Sequence, residues 1–257
     1  MDQIRRFLTL VIDEPLYFKE LTASVRPLQR IQIISAQSPR HVNKMFFPAN
    51  MLFSFPACRQ GIATLLDQWI SRRETLETVY ELFFLTFFNP DMNPRSYFIT
   101  LVQALETLHR TVFKGEYLSE EAYKPFGDKM LRSISPDLEE SHRHALKNRI
   151  KFGFGYSLRK RITAMIRSLE KITQDTITRN QNVFVTKIVE TRNYLTHNDE
   201  TTKNDVIEMN LLPIASEKIR IFLRILLLQQ IGMGESDIRS AITNNHRMNS
   251  VLADDVI

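Results

Sequence analysis

A chain of 257 residues, 43% hydrophobic and 25% charged, can bury one large core with at most a small appendage, and its composition is that of an ordinary globular protein. Seven glycines are too few for a loop-rich or all-β fold, and the single cysteine, Cys58, excludes an internal disulfide and a cysteine-rich metal site, which fits a reducing cytoplasm. The net charge of +5, from 34 Lys+Arg against 29 Asp+Glu, points only weakly to a polyanionic partner.

Residues 1–57 differ from the remainder. The opening MDQIRRFLTLVIDEPLYF has a short apolar run with acids at both ends and no small-residue cleavage pattern, so a short helix (2–12) is expected rather than a signal peptide. Three β-like runs follow, LYFKELTASV (16–25), RIQIISAQ (30–37) and MLFSFPA (51–57). Three strands are too few for an independent sheet. The segment reads as the end of a β-rich domain or as a small β appendage.

From residue 58 onward the apolar spacing is helical. RQGIATLLDQWISRRE places Ile62, Leu65, Leu66 and Trp69 on one face, and TLETVYELFFLTFF follows after a short break. NPDMNP (89–94) interrupts. RSYFITLVQALETLHRTVF (95–113) repeats Phe98, Leu101, Val102, Leu105, Leu108 and Val112, which predicts a long central helix. Further helices are expected over 118–131, 138–151, 156–173 and 178–197. A long apolar one is expected over 204–233, with Pro213 breaking or kinking its start, and a short one over 234–245 before a frayed tail. The two most apolar windows, 79–88 and 219–233, read as core helices: the first is too short to span a bilayer and the second carries Arg220 and Arg224. The expected fold is mainly α, an antiparallel helical bundle over 58–257, with a small β-containing N-terminal segment over 1–57.

Catalytic motifs are scarce. There is no glycine-rich phosphate loop, no HExxH and no G-x-S-x-G elbow. His142 and His144, two positions apart, fall on different sides of a helix, and His41 and His246 sit in expected loops without partners. Between Arg143 and Lys171 nine basic residues stand against one acid, Glu170. Arg143, Lys147, Arg159, Lys160 and Arg161 make up a candidate RNA-binding surface there, with a solvated helix face as the plain alternative. Phe152, Phe154 and Tyr156 within it read better as interhelical packing than as base-stacking platforms. What remains is VETRNYLTHNDE (189–200), with Arg192 and His197 five positions apart near a helix end. On a continuing helix they lie about 140° apart. They converge better if the helix stops near Thr196 and His197 folds back. Basic residues at a helix C-terminus are also common without any function.

RNYLTH resembles the R-x(4–6)-H motif of the HEPN superfamily, all-α domains that act mostly as metal-independent ribonucleases, and Asn193 matches a residue type often found after the arginine. More narrowly, FLTLVIDEPLYF, LLDQWI, LVQALETLHR and ETRNYLTHND resemble the ApeA-like HEPN proteins of bacterial antiphage defence. The resemblance implies a larger β-rich N-terminal domain in relatives, of which only the last part is present here, with a sensor or regulatory partner belonging to the rest. It also implies a cytoplasmic homodimer joined through the Arg-x4-His face, RNA (tRNA or another structured RNA) as substrate, and no cofactor, metal or membrane.

In that chemistry His197 exchanges protons with the ribose 2′-OH and the 5′-oxygen, and Arg192 holds the phosphate charge. Asn193 orients His197 or bonds the phosphate, and the product carries a 2′,3′-cyclic phosphate. Glu106, Tyr194 and Thr196 are supporting candidates. Glu106 has an ordinary i,i+4 partner in Arg110, which is the preferred reading, and His109 is expected as a flank residue. Two other readings stay open: a non-catalytic HEPN module that binds nucleotide or RNA and dimerises, and a structural helical domain in which Arg192 and His197 only cap a helix.

Overall fold

The computed structural model describes residues 2–18, 20–26, 29–33, 47–52, 61–198, 205–254 and 256–257. Helix α1 (Asp2–Ile12) comes first, followed by an antiparallel hairpin of β1 (Leu21–Arg26) and β2 (Gln29–Ile33) with Leu21 opposite Ile33 and a bulge between Ser24 and Arg26. The hairpin covers part of the first two strand expectations. The third begins in a bend at 51–52, and its remainder, like Cys58 and His41, lies outside the described residues.

The helical body starts with α2 (Ile62–Ser71) and α3 (Arg73–Phe88). Asn93 then caps α4 (Pro94–Leu108) by accepting from the Arg95 N–H at 2.9 Å, and Pro94 stands in its first turn, where a missing N–H costs nothing. A π-helical turn, His109–Phe113, extends α4 and ends at Lys114 in the left-handed region. Next come α5 (Glu120–Arg132) and α6 (Glu140–Lys151), then α7 (Leu158–Arg167), capped by Ser157. The single helix expected over 156–173 is divided, because the chain turns at Ser168–Glu170 before α8 (Lys171–Ile177). Asn180 caps α9 (Gln181–His197) through two N–H bonds. α10 (Leu212–Gln230) has Pro213 in its first turn, and α11 (Glu235–Thr243) follows. The expected frayed tail is a helix instead, α12 (His246–Ala253), held because Met248 and Leu252 are buried and Asn245 caps it. His246 is thus a helical residue rather than a loop residue.

The fold is mainly α, with twelve α-helices among the described residues. Residues Lys218 to Leu228 are buried without interruption, so α10 is enclosed on all sides, which the long helix α4 is not. α4 packs on α3 and α10, and α7 and α9 pack on α4 and on each other. α1 belongs to this core: Phe7, Leu10 and Val11 are buried, and Phe7 meets Trp69 at 6.0 Å. Trp69 stacks on Tyr80 at 4.0 Å and donates its Nε1–H to the Gln3 carbonyl. Each such fully buried large apolar side chain contributes about 1.5–3 kcal/mol.

α1 is also held by charge. Asp13, just past its end at φ 62°, pairs with Arg220 at 2.6 Å and with Arg224, both buried on α10. Glu217 completes the group, accepting from Arg220 at 2.6 Å and from the Tyr97 hydroxyl of α4 at 2.7 Å. Among the described residues no helix is long and apolar enough to cross a membrane.

Candidate active site

The end of α9 is built on a core stripe. Phe184, Val185, Ile188 and Val189 are buried, and Leu195 packs partly against the same core. At about 100° per residue, Arg192 falls within this stripe, between the directions of Ile188 and Val185. An arginine at a core position, here in the turn before the last, keeps its stem against apolar neighbours while its charged head stays partly in solvent. It is half-buried, and Nη1 donates to Asn193 Oδ1 at 3.3 Å, its one side-chain hydrogen bond among the described residues. Thr196 is occupied in the backbone, its hydroxyl donating to the Arg192 carbonyl at 2.7 Å. Tyr194 is half-buried.

The helix runs through His197 and closes only at Asn198, whose φ of 52° gives a left-handed cap with its N–H on the Tyr194 carbonyl at 2.8 Å. Asparagine tolerates that conformation better than most residues, which explains why the helix ends there. The expected fold-back of His197 therefore does not occur. His197 is exposed, about 140° around the helix from Arg192, and the two do not converge within one chain. Asn193 links them instead: it bonds Arg192 and stands one turn before His197 on the same face. The chain after the motif returns to the same helix, where the Ile207 N–H donates to the buried Thr191 hydroxyl at 2.8 Å.

The end of α4 lies against α7, and α7 lies against α9. Glu106 accepts from Arg110 at 2.7 Å, so its ordinary i,i+4 partner is the one it has. His109 is not a flank residue. The π-turn rotates it inward, where it is 1% exposed, stacked on Phe113 and 3.0 Å from Arg161 Nη1 through Nδ1. A guanidinium has no acceptor, so Nδ1 must accept and the imidazole is neutral with its proton on Nε2. Burial, reinforced by the positive charges of Arg161 and Arg110, holds the His109 pKa down at about 4. Gly115 fits against the rings of Tyr156 and His109, and a Cβ there would lie 2.6 Å from His109 Cε1.

The basic tract is not one surface. Arg161 is 5% exposed and serves His109, so it is removed from the expected RNA-binding set. Arg159 is spent on α9, donating to Thr186 at 2.6 Å and Glu190 at 2.7 Å, two residues before Arg192. Lys160 remains outward, with Nζ 5.5 Å from the Tyr156 ring. Arg143 and Lys147 are on α6, a helix with no buried residue that packs on α5. Of the three aromatics, Phe154 packs on Tyr123 and Tyr156 on Tyr117, whereas Phe152 is 66% exposed and does not pack between helices. The sequence held no signal for the His109–Arg161 pair, since nothing in HRTVF announces a π-turn.

The family model described as Apea-like HEPN matches residues 99–237, just over half of the chain and inclusive of every residue discussed in this section from Glu106 to Ile207. No curated protein and no solved structure matches the chain.

Proposed function

The chain belongs to the Apea-like HEPN family, and from that premise we propose that it is a metal-independent endoribonuclease whose reacting groups are Arg192, Asn193 and His197. The observation that supports this most is the construction of the α9 end. Arg192 is drawn into a core stripe and tied to Asn193, and Asn193 stands one turn before an exposed histidine at the last helical position. A positioned cation beside an open proton carrier is what transesterification at a ribose phosphate requires.

One histidine removes the 2′-OH proton as that oxygen attacks the phosphorus. Arg192 bears the charge on the non-bridging oxygens. A second histidine gives a proton to the departing 5′-oxygen, leaving a 2′,3′-cyclic phosphate and a 5′-hydroxyl. Within one chain Arg192 and His197 point about 140° apart, so the second histidine and a converging arginine come from another copy. A two-fold homodimer joining the α9 ends supplies both, because such an interface sets motif against motif. The expected substrate is tRNA or another structured RNA, and the expected setting is a cytoplasmic antiphage, abortive response. A regulatory partner is the expected control of that activity.

The divergence of Arg192 and His197 favours one alternative, a non-catalytic module that binds RNA or a nucleotide and dimerises. Incubation with total tRNA in EDTA, wild type beside Arg192→Ala and His197→Ala, separates the two readings when combined with end-group analysis and sedimentation. Fragments ending in cyclic phosphate, absent with both variants, are the expected result. Intact RNA from a folded dimer that still binds it would replace the nuclease with the binding module.

A further inference from the structure

The outer face of α7 carries a groove of about 320 Å³ lined by Tyr156, Lys160, Thr163, Ala164, Arg167 and Ser168. We propose that this groove is a track for a single-stranded segment of RNA, with its bases entering at Tyr156 and its phosphates held by Lys160 and Arg167. The proposal rests on the nuclease or RNA-binding reading above and names where the strand lies.

The inner face of α7 is fixed by the core, with Ile162, Met165 and Ile166 buried, and by Arg161 on His109. The outer positions 160, 163, 164 and 167 follow helical spacing and form one stripe. Residues 156–168 contain four basic residues and no carboxylate. Two of the four are turned away from the groove, Arg161 inward to donate to the neutral His109 and Arg159 sideways to pair with Glu190. Among the described residues Lys160 and Arg167 form no ion pair. They stand seven positions apart, about 10.5 Å along the axis and nearly in line, which spans roughly three stacked nucleotides of one strand. Between them Ala164 leaves room, and the Thr163 hydroxyl makes no hydrogen bond among the described residues. Tyr156 is supported from behind by Tyr117 at 4.9 Å and His109 at 6.0 Å and has Lys160 over its ring. A braced aromatic ring followed by spaced cations is the arrangement that binds unpaired strands through stacking and backbone charge. A duplex, whose bases are not free to stack on a side chain, gains nothing from the ring. Arg159 seats the start of α7 beside Glu190, so the Tyr156 end of the track lies near α9.

The test uses the full chain carrying His197→Ala, so that RNA is bound and not cleaved, and a labelled 12-nucleotide single-stranded RNA followed by fluorescence anisotropy. Adding Lys160→Gln with Arg167→Gln is expected to weaken binding roughly tenfold. The slope of log K against log salt should become shallower by about 1.4, two phosphate contacts at about 0.7 each. Ala164→Glu, a helix-compatible change at a half-buried position that lines the groove, is expected to weaken binding comparably with a melting temperature within about 2 °C of the parent. Lys124→Gln with Lys129→Gln, both exposed on α5, should leave affinity within about twofold. The proposal is overturned if the parent binds no RNA or if the groove variants bind like the parent. It is also overturned if the loss follows the α5 pair, or if an acidic peptide competes as well as RNA. Cleavage by the wild type with groove variants binding normally would end the track and keep the nuclease; groove-dependent binding without wild-type cleavage would do the reverse.

Discussion

Asp13→Asn isolates the charge that fastens α1 to α10. Asparagine keeps the shape of aspartate and tolerates φ 62°, so the backbone need not move. In the wild type Asp13 is 3% exposed and faces Arg220 and Arg224, which are 5% and 0% exposed. Without the carboxylate Arg220 keeps Glu217 at 2.6 Å, whereas Arg224 loses its only ion-pair partner among the described residues and retains the Phe87 ring at 5.7 Å. An uncompensated buried charge of this kind costs about 3–5 kcal/mol, which for a chain of this length lowers the melting temperature by roughly 10 °C. Urea unfolding and thermal melts read both.

The pH dependence is a second check on the same variant. Burial alone would raise the Asp13 pKa, but the charges of Arg224 and Arg220 outweigh it and hold the carboxyl well below its ordinary range. A lowered folded pKa contributes stability above the unfolded value of about 3.9 and loses it as pH falls below that value, at about 1.4 kcal/mol per pH unit. The gap between wild type and Asp13→Asn should therefore narrow below about pH 4. A melting temperature within about 2 °C of wild type at pH 7, or a gap that stays constant down to pH 3, refutes the reasoning.

Three further outcomes are expected. His109 is neutral in the fold with a pKa of about 4 against about 6.5 unfolded, so its contribution is complete above pH 6.5 and is lost as pH falls toward 4. Allowing for partial solvent screening, melts across this window should show about 1–3 kcal/mol of loss that His109→Gln largely removes. Gly115→Ala drives a Cβ into the rings of Tyr156 and His109 and should cost about 1–3 kcal/mol in denaturant titration; a neutral result would mean that those rings are free to shift. Asn193→Ala removes the one side-chain hydrogen-bond partner that Arg192 has among the described residues. RNA cleavage should fall by roughly one to two orders of magnitude while the melting temperature moves by less than about 2 °C, and an equal loss of both would make Asn193 a structural residue.

The sequence by itself determined the helical body. Apolar spacing marked α4, α9 and α10, and the prolines and asparagines around 89–94, together with Pro213, marked breaks, because periodicity and turn chemistry are local properties that survive without tertiary context. It also left Arg192 and His197 as a pair worth weighing, and the resemblance of RNYLTH to the HEPN motif added Asn193 and a chemical role. Tertiary structure decided what depends on surroundings. The chain turn after Arg167 divides one periodic stretch into α7 and α8. A π-turn carries His109 inward onto Arg161, and burial makes a tail into α12. Which cations are spent and which are left outward follows from partners far away in sequence: Arg159 meets Glu190 across 31 positions and Arg224 meets Asp13 across 211. A charge has the same letter whether paired or free, and only packing assigns its partner.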